Sequence, residues 1–293
     1  MKIIIAGASG FIGQALTESL TAAGHTVQTL SRTARANQLA WDDETVWRDA
    51  VAQADAVINL CGASVAAKRW SEAYREEILY SRIEPTRKLA SARPKVLVNA
   101  SAVGLYGDHG DDEITEESFP VPDYFTHVCA RWEEATQEAV KSGGRVVFLR
   151  IGQVFARGGG VIETMVNPPQ VPFSPWKWGL GGPLGSGRQW VPWIHRDDVL
   201  GLISWALETE SVTGPLNVVS PRPVTARQLA DAIGKALGKP ARFSVPLFAL
   251  KALVGEFAEY LVASQRVMPT KALALGYKFR WPSLAEALAD VVQ

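Results

Sequence analysis

Cysteine is scarce in this 293-residue chain: there are two, Cys61 and Cys129, with no CxxC spacing. That excludes a disulfide framework and a cysteine-based zinc site, and it fits a reducing, cytoplasmic compartment. Net charge is missing too. The 30 Lys and Arg balance the 30 Asp and Glu without forming a basic block or stripe, so the electrostatic footprint of a nucleic-acid binder is absent. No apolar run is long enough to span a bilayer, so no membrane association is expected, and Gly7, Ser9 and Gly10 interrupt the opening isoleucines too early for a signal peptide. No group of His, Cys, Asp or Glu has metal-ligand spacing, so no metal is expected. The remaining candidate partner is a small molecule.

A hydrophobic content of 47% supports a large core. The stretch "KIIIAGASGFIGQALTESLTAAGHTVQTLSR" reads as strand, glycine turn, amphipathic helix and second strand, a βαβ unit. Further strands are expected within 55–64, 94–104 and 144–155, with a helix over about 70–91. Alternation of this kind predicts an α/β fold, a doubly wound parallel sheet. From Ala156 the texture changes: "NPPQVPFSPWKWGLGGPLGSGRQWVPW" is dense in Gly, Pro and Trp and reads as loops, before helices return at "IHRDDVLGLISWALE" and after Thr225. The expected organisation is a nucleotide-binding domain over 1–155, joined by 195–222, with a smaller α+β lobe from 156–194 and 223–293.

Gly7, Gly10 and Gly13 form GxxGxxG between a strand and a helix, where glycines permit a tight turn, close approach of a pyrophosphate and close helix packing. The end of the second strand discriminates between cofactors. An acidic residue there would bind the ribose 2′-hydroxyl of NADH; this chain has Ser31 and Arg32, a hydroxyl and a guanidinium suited to the 2′-phosphate of NADPH. Leu60, Cys61 and Gly62, ending the third strand, would pass beneath the adenosine.

Together with "VINLCGASVAAKRW", "SRIEPTRKL", "SAVGLYG", "GSGRQWVPWIHRDD", "GPLNVVSPRPVT" and the long C-terminal "GEFAEYLVASQRVMPTKALALGYKFRWPSLAEAL", the glycine turn resembles the extended and atypical short-chain dehydrogenase/reductase superfamily. In detail it is similar to the NAD-dependent epimerase-like family that ends in a domain of unknown function. The resemblance spans essentially the whole chain. It implies a Rossmann-like, NADP-binding fold, with cofactor contacts at Gly7, Ser9, Gly10, Phe11, Ile12, Ser31, Arg32, Leu60, Cys61, Glu77 and Arg82.

Related enzymes carry a tyrosine that handles the proton at the substrate carbonyl and a lysine four residues on. With Glu133 aligned to the helix acid of those enzymes, the two positions here hold Phe125 and Cys129. Tyr124 is one residue out of phase, roughly 100° around the helix. Ser101 retains a hydroxyl for a substrate oxygen, and Tyr106 reads either as the proton donor or as a packed aromatic. Cys129 reads as a small packed side chain and His195 as a helix-start residue. Two functions follow: an NADP-dependent, epimerase-like oxidoreductase exchanging hydride with a small or sugar-like carbonyl, or a degenerate NADPH-binding module with a regulatory or partner-binding role.

Overall fold

The computed structural model describes residues 1–33 and 38–292. The opening unit is β1 (Lys2–Ala6), α1 (Phe11–Ala22) and β2 (Thr26–Ser31). A short β3 (Leu39–Ala40) and α2 (Glu44–Gln53) lead to β4 (Ala56–Asn59), and α3 (Glu72–Ser91) leads to β5 (Val96–Ala102). Next come β6 (Glu113–Ile114), α4 (Tyr124–Glu134), α5 (Gln137–Lys141) and β7 (Arg145–Ile151). β8 (Gln153–Ala156), α6 (Gly160–Val166), β9 (Trp190–Val191) and β10 (Trp193–His195) precede α7 (Arg196–Glu208) and β11 (Gly214–Val218). The chain closes with β12 (Val224–Thr225), α8 (Ala226–Leu237), α9 (Leu247–Val254), α10 (Phe257–Leu261), β13 (Arg266–Val267), α11 (Thr270–Ala274) and α12 (Leu284–Val292).

Among the described residues, one seven-stranded sheet runs β11-β7-β5-β4-β1-β2-β3, parallel throughout. Its central strands are largely apolar on both faces because helices cover both. Ile3 and Ile5 join Leu16, Leu20 and Leu202 in one core layer; Ile4, between them, joins Trp47 and Leu89 in the opposite one. The strand order reverses between β1 and β4, which sets a ligand crevice outside their carboxyl ends.

The expected strand over 144–155 is two strands, broken at Gly152. There the backbone passes Pro192 so closely that an added Cβ would lie 2.2 Å from its carbonyl oxygen. Beyond the break β8 leaves the main sheet and pairs with β10. A separate core forms around Phe155, Trp176, Trp193, Leu229, Ile233 and Leu288, so part of the Gly/Pro/Trp-rich stretch is interior. Thr225 opens α8 with a full capping box to Gln228, and His195 caps α7 by accepting the Asp197 N–H at 3.1 Å. Both carboxylate oxygens of buried Asp198 receive backbone N–H groups, from Arg280 at 2.7 Å and Trp281 at 2.9 Å. The molecule is thus a Rossmann-like parallel α/β core with a smaller C-terminal α+β region. No helix among the described residues is long and apolar enough to cross a membrane.

Candidate dinucleotide site

The turn after β1 is built by its glycines. Gly7 has φ +82°, and a Cβ there would sit 2.6 Å from the Leu60 carbonyl carbon, so the turn lies directly on the Leu60–Cys61 backbone at the reversal point. Gly13 packs as closely, its notional Cβ 2.4 Å from the Gly7 oxygen. Gly10 is the N-cap of α1 and supplies no side-chain acceptor, and the first turn holds no acidic residue. The N–H groups of that turn therefore point outward without a side-chain partner, beside exposed Ser9 and Phe11 and half-buried Ile12. Such a helix start suits a pyrophosphate.

At the end of β2, Arg32 is exposed, and its charge reaches the Cys61 thiol. Burial dominates there and pushes that thiol up to about 12, with Arg32 opposing. Ser31 turns its hydroxyl to the Thr33 carbonyl at 3.3 Å. Glu77 and Arg82 diverge. Glu77 is exposed and pairs with Lys68 at 3.3 Å, whereas Arg82 turns inward, donating to the Ile78 and Ala63 carbonyls at 2.7 and 3.0 Å. The Arg82 guanidinium lies against Gly62 and 5.1 Å over the Trp132 ring, on the side of α4 that carries Cys129.

Asp123 caps α4 by accepting the Thr126 N–H at 2.7 Å. Phe125 and Cys129 both pack over Gly104. The Phe125 ring belongs to an aromatic cluster with Trp70, Phe257 and Tyr260, the last at a centroid distance of 4.4 Å. Tyr124 donates to the Arg75 carbonyl at 2.8 Å, and its ring lies in the same cluster, 5.1 Å from Trp70 and 5.7 Å from Phe125. Cys129 is buried, and its thiol is pushed up to about 12 by burial.

The structure does not bring the hydroxyls of Ser101 and Tyr106 to the crevice surface. Ser101 is 2% exposed and donates to Glu133 Oε1 at 2.7 Å. Tyr106 is 0% exposed; its hydroxyl donates to Asn217 Oδ1 at 2.7 Å and accepts from Arg150 Nη1 at 2.9 Å. Burial pushes the phenol up to about 12 despite the Arg150 charge. The centre of this network is Arg150, which meets Glu133 through Nε and Nη2, each at 3.0 Å, and gives a further bond to the Glu116 carbonyl. At the carboxyl end of β5 it is Ala102, and beyond the strand Gly104, that keep partial exposure. Sequence reasoning did not pick out Arg150, Glu116 or Asn217; their partners lie far along the chain and share no short spacing.

Residues 3–219 match the NAD dependent epimerase/dehydratase family, and residues 245–291 match a domain of unknown function, DUF1731. An epimerase family protein of Mycobacterium bovis is 39% identical over 295 residues, spanning 98% of this chain and 96% of that protein. The human epimerase family protein SDR39U1, in a crystal structure with NADPH, is 35% identical, covers 99% of both chains and superposes with a TM-score of 0.89. A nucleoside-diphosphate sugar epimerase from Corynebacterium glutamicum is 30% identical, covering 99% of this chain and 57% of that one, with a TM-score of 0.78. Crevice, glycine turn and full-length likeness agree: this chain belongs to the NAD dependent epimerase/dehydratase family.

Proposed function

We propose that this chain binds NADPH, and that the bound dinucleotide serves a regulatory or partner-binding role rather than a conventional redox cycle. The observation that carries the cofactor assignment is the first turn of α1, whose donors have no side-chain cap and stand over the reversal point of the sheet. Arg32, with Ser31, is placed for the 2′-phosphate; Leu60 and Cys61 floor the adenosine side; Arg82 borders it from α3. NADPH, where bound, supplies a hydride. This chain's residues offer no accessible proton donor in the usual places, because Phe125 is apolar and the Ser101 and Tyr106 hydroxyls are enclosed. A cytoplasmic location is proposed with this reading, on the two free thiols.

Hydride exchange with a sugar-like carbonyl is the second reading, and one observation favours it. Tyr260 of α10 lies half-buried and edge-on to Phe125, with ring centroids 4.4 Å apart, beside the start of α4. A phenol carried on the C-terminal region would then take the proton role. Calorimetry and a turnover assay separate the readings. NADPH should bind at least tenfold more tightly than NADH, and Arg32→Ala should erase the difference, since a charge-assisted phosphate contact is worth about 1.5–3 kcal/mol. No oxidation of NADPH is expected with a panel of UDP-hexoses and simple ketones. Turnover that Tyr260→Phe abolishes would establish hydride exchange, and equal affinity for the two cofactors would sink the 2′-phosphate assignment.

A further inference from the structure

Helices α1 and α7 both start at the carboxyl edge of the sheet. The first follows β1 and returns to β2; the second follows β10 and returns to β11, a parallel strand of the same sheet. They pack side by side in one core layer through Leu16, Leu20, Val199 and Leu202, so their first turns are neighbours. The first residue of α1 is Phe11 and the first of α7 is Arg196. The Arg196 guanidinium lies 5.3 Å over the Phe11 ring, and Gly159 approaches the same ring so closely that a Cβ would fall 2.7 Å from it.

Arg196 is unusual in its pairing. Its Nε is buried and has no hydrogen-bond partner. The acids beside it are engaged elsewhere: Asp197 takes Arg280 at 3.3 Å and the Trp281 indole at 3.2 Å, and Asp198 takes the two backbone groups of 280 and 281. A cation in the first turn of a helix also opposes the helix dipole. An unpaired guanidinium in an electrostatically unfavourable position, held by a ring at the mouth of the glycine turn, lacks only an anion.

We propose that Arg196 is a pyrophosphate clamp, reaching from α7 across Phe11 to the phosphates that the N–H groups of α1 receive. The proposal rests on the cofactor reading above and adds to it a residue on the other side of the crevice. The backbone donors of α1 hold a phosphate through fixed dipoles, and a guanidinium adds a full charge and up to two further donors. The same chemistry would serve the diphosphate of a sugar nucleotide, and the test separates the two.

The full chain and its Arg196→Gln and Arg196→Lys variants are titrated calorimetrically with NADPH, with 2′-AMP, which keeps the 2′-phosphate but has no pyrophosphate, and with UDP-glucose. Arg196→Gln should weaken NADPH by about 10- to 100-fold, as loss of a charge-assisted contact does, with Arg196→Lys intermediate. Binding of 2′-AMP should stay within twofold, while Arg32→Ala weakens both ligands. The melting temperature of the free protein should hold or rise, because a cation has left a helix start. NADPH affinity within twofold of wild type, equal losses for NADPH and 2′-AMP, a loss confined to UDP-glucose, or a free-protein melting point lowered by about 5 °C or more would each overturn the clamp. Wild-type protein that binds no NADPH would instead sink the cofactor reading itself.

Discussion

Replacing Tyr106 by Phe removes one oxygen from a closed interior. That oxygen donates to Asn217 Oδ1 and accepts from Arg150 Nη1, and no solvent reaches the residue. Asn217 Oδ1 would be left without this donor, at about 1–3 kcal/mol for a buried unsatisfied group. Arg150 loses less, because Nη1 still meets the Glu116 carbonyl and both Glu133 oxygens remain. The ring keeps its packing against Val103, Ile114, Val219 and Val267. The sum is about 2–3 kcal/mol, which at roughly 2 °C per kcal/mol for a chain of this size lowers the melting temperature by about 4–6 °C. NADPH affinity, measured by titration well below the new melting point, should not move. A variant that melts within about 1 °C of wild type, or one that loses cofactor binding or turnover while remaining stable, would refute the assignment of this hydroxyl to the interior.

Glu133→Gln should cost about 3 kcal/mol or more, seen as a lower urea midpoint at unchanged slope, because Arg150 and Glu133 are 9% and 13% exposed and the guanidinium loses its counter-charge. Introducing a tyrosine and a lysine with Phe125→Tyr and Cys129→Lys should destabilise the protein and gain no activity, since an ammonium would enter a buried site already facing Arg82; tighter cofactor binding or turnover would show that the guanidinium is not there. Both thiols should resist iodoacetamide at pH 8 in the native protein, Cys129 because it is buried and Cys61, partly exposed, because its thiol is pushed up to about 12; alkylation of either at the rate of a free cysteine would contradict this. Stability should fall from pH 9 upward: the unfolded thiols and phenol ionise at 9.0 and 10.0, whereas Cys61, Cys129 and Tyr106 hold their protons to about 12, so the unfolded chain binds fewer protons in that window.

What the sequence disclosed is what short spacing or local backbone geometry encodes. The glycine turn was legible because Gly7 needs a positive φ and Gly13 a contact no Cβ permits, and the Thr225 cap because its partner Gln228 stands at the fixed offset of a capping box. The direction of Ser101 was not legible, and the reason is physical. β5 is covered on both faces: polar Asn99 and Ser101 alternate with Ala100 and Ala102, but all four are at least partly buried, so the alternation does not say which side faces α4 and which the crevice. The two-residue pairings β12 with β9 and β13 with β6 are too short to leave a pattern. Arg196 sits inside "HRDD", where a charged first turn looks ordinary until the neighbouring helix is placed beside it.

Glu116 has one oxygen that accepts two backbone N–H groups, from Asn217 at 3.1 Å and from Lys271 at 3.2 Å, and the Asn217 amide donates to the Met268 carbonyl at 2.9 Å. The polar interior behind β5 and β7 is therefore sealed by residues 268–271, which follow every strand of the sheet. On a ribosome, the seven strands of the sheet are all translated before residues 268–271 exist. Until that segment emerges, the Glu116 carboxylate lacks one of its donors and the Asn217 amide its acceptor, so the nascent sheet waits with an open polar seam. Vectorial synthesis thus makes this a protein whose interior stays incomplete until residues well beyond the last strand of its sheet have been made, and a ribosome stalled between the two would hold a chain exposed to chaperones and proteases.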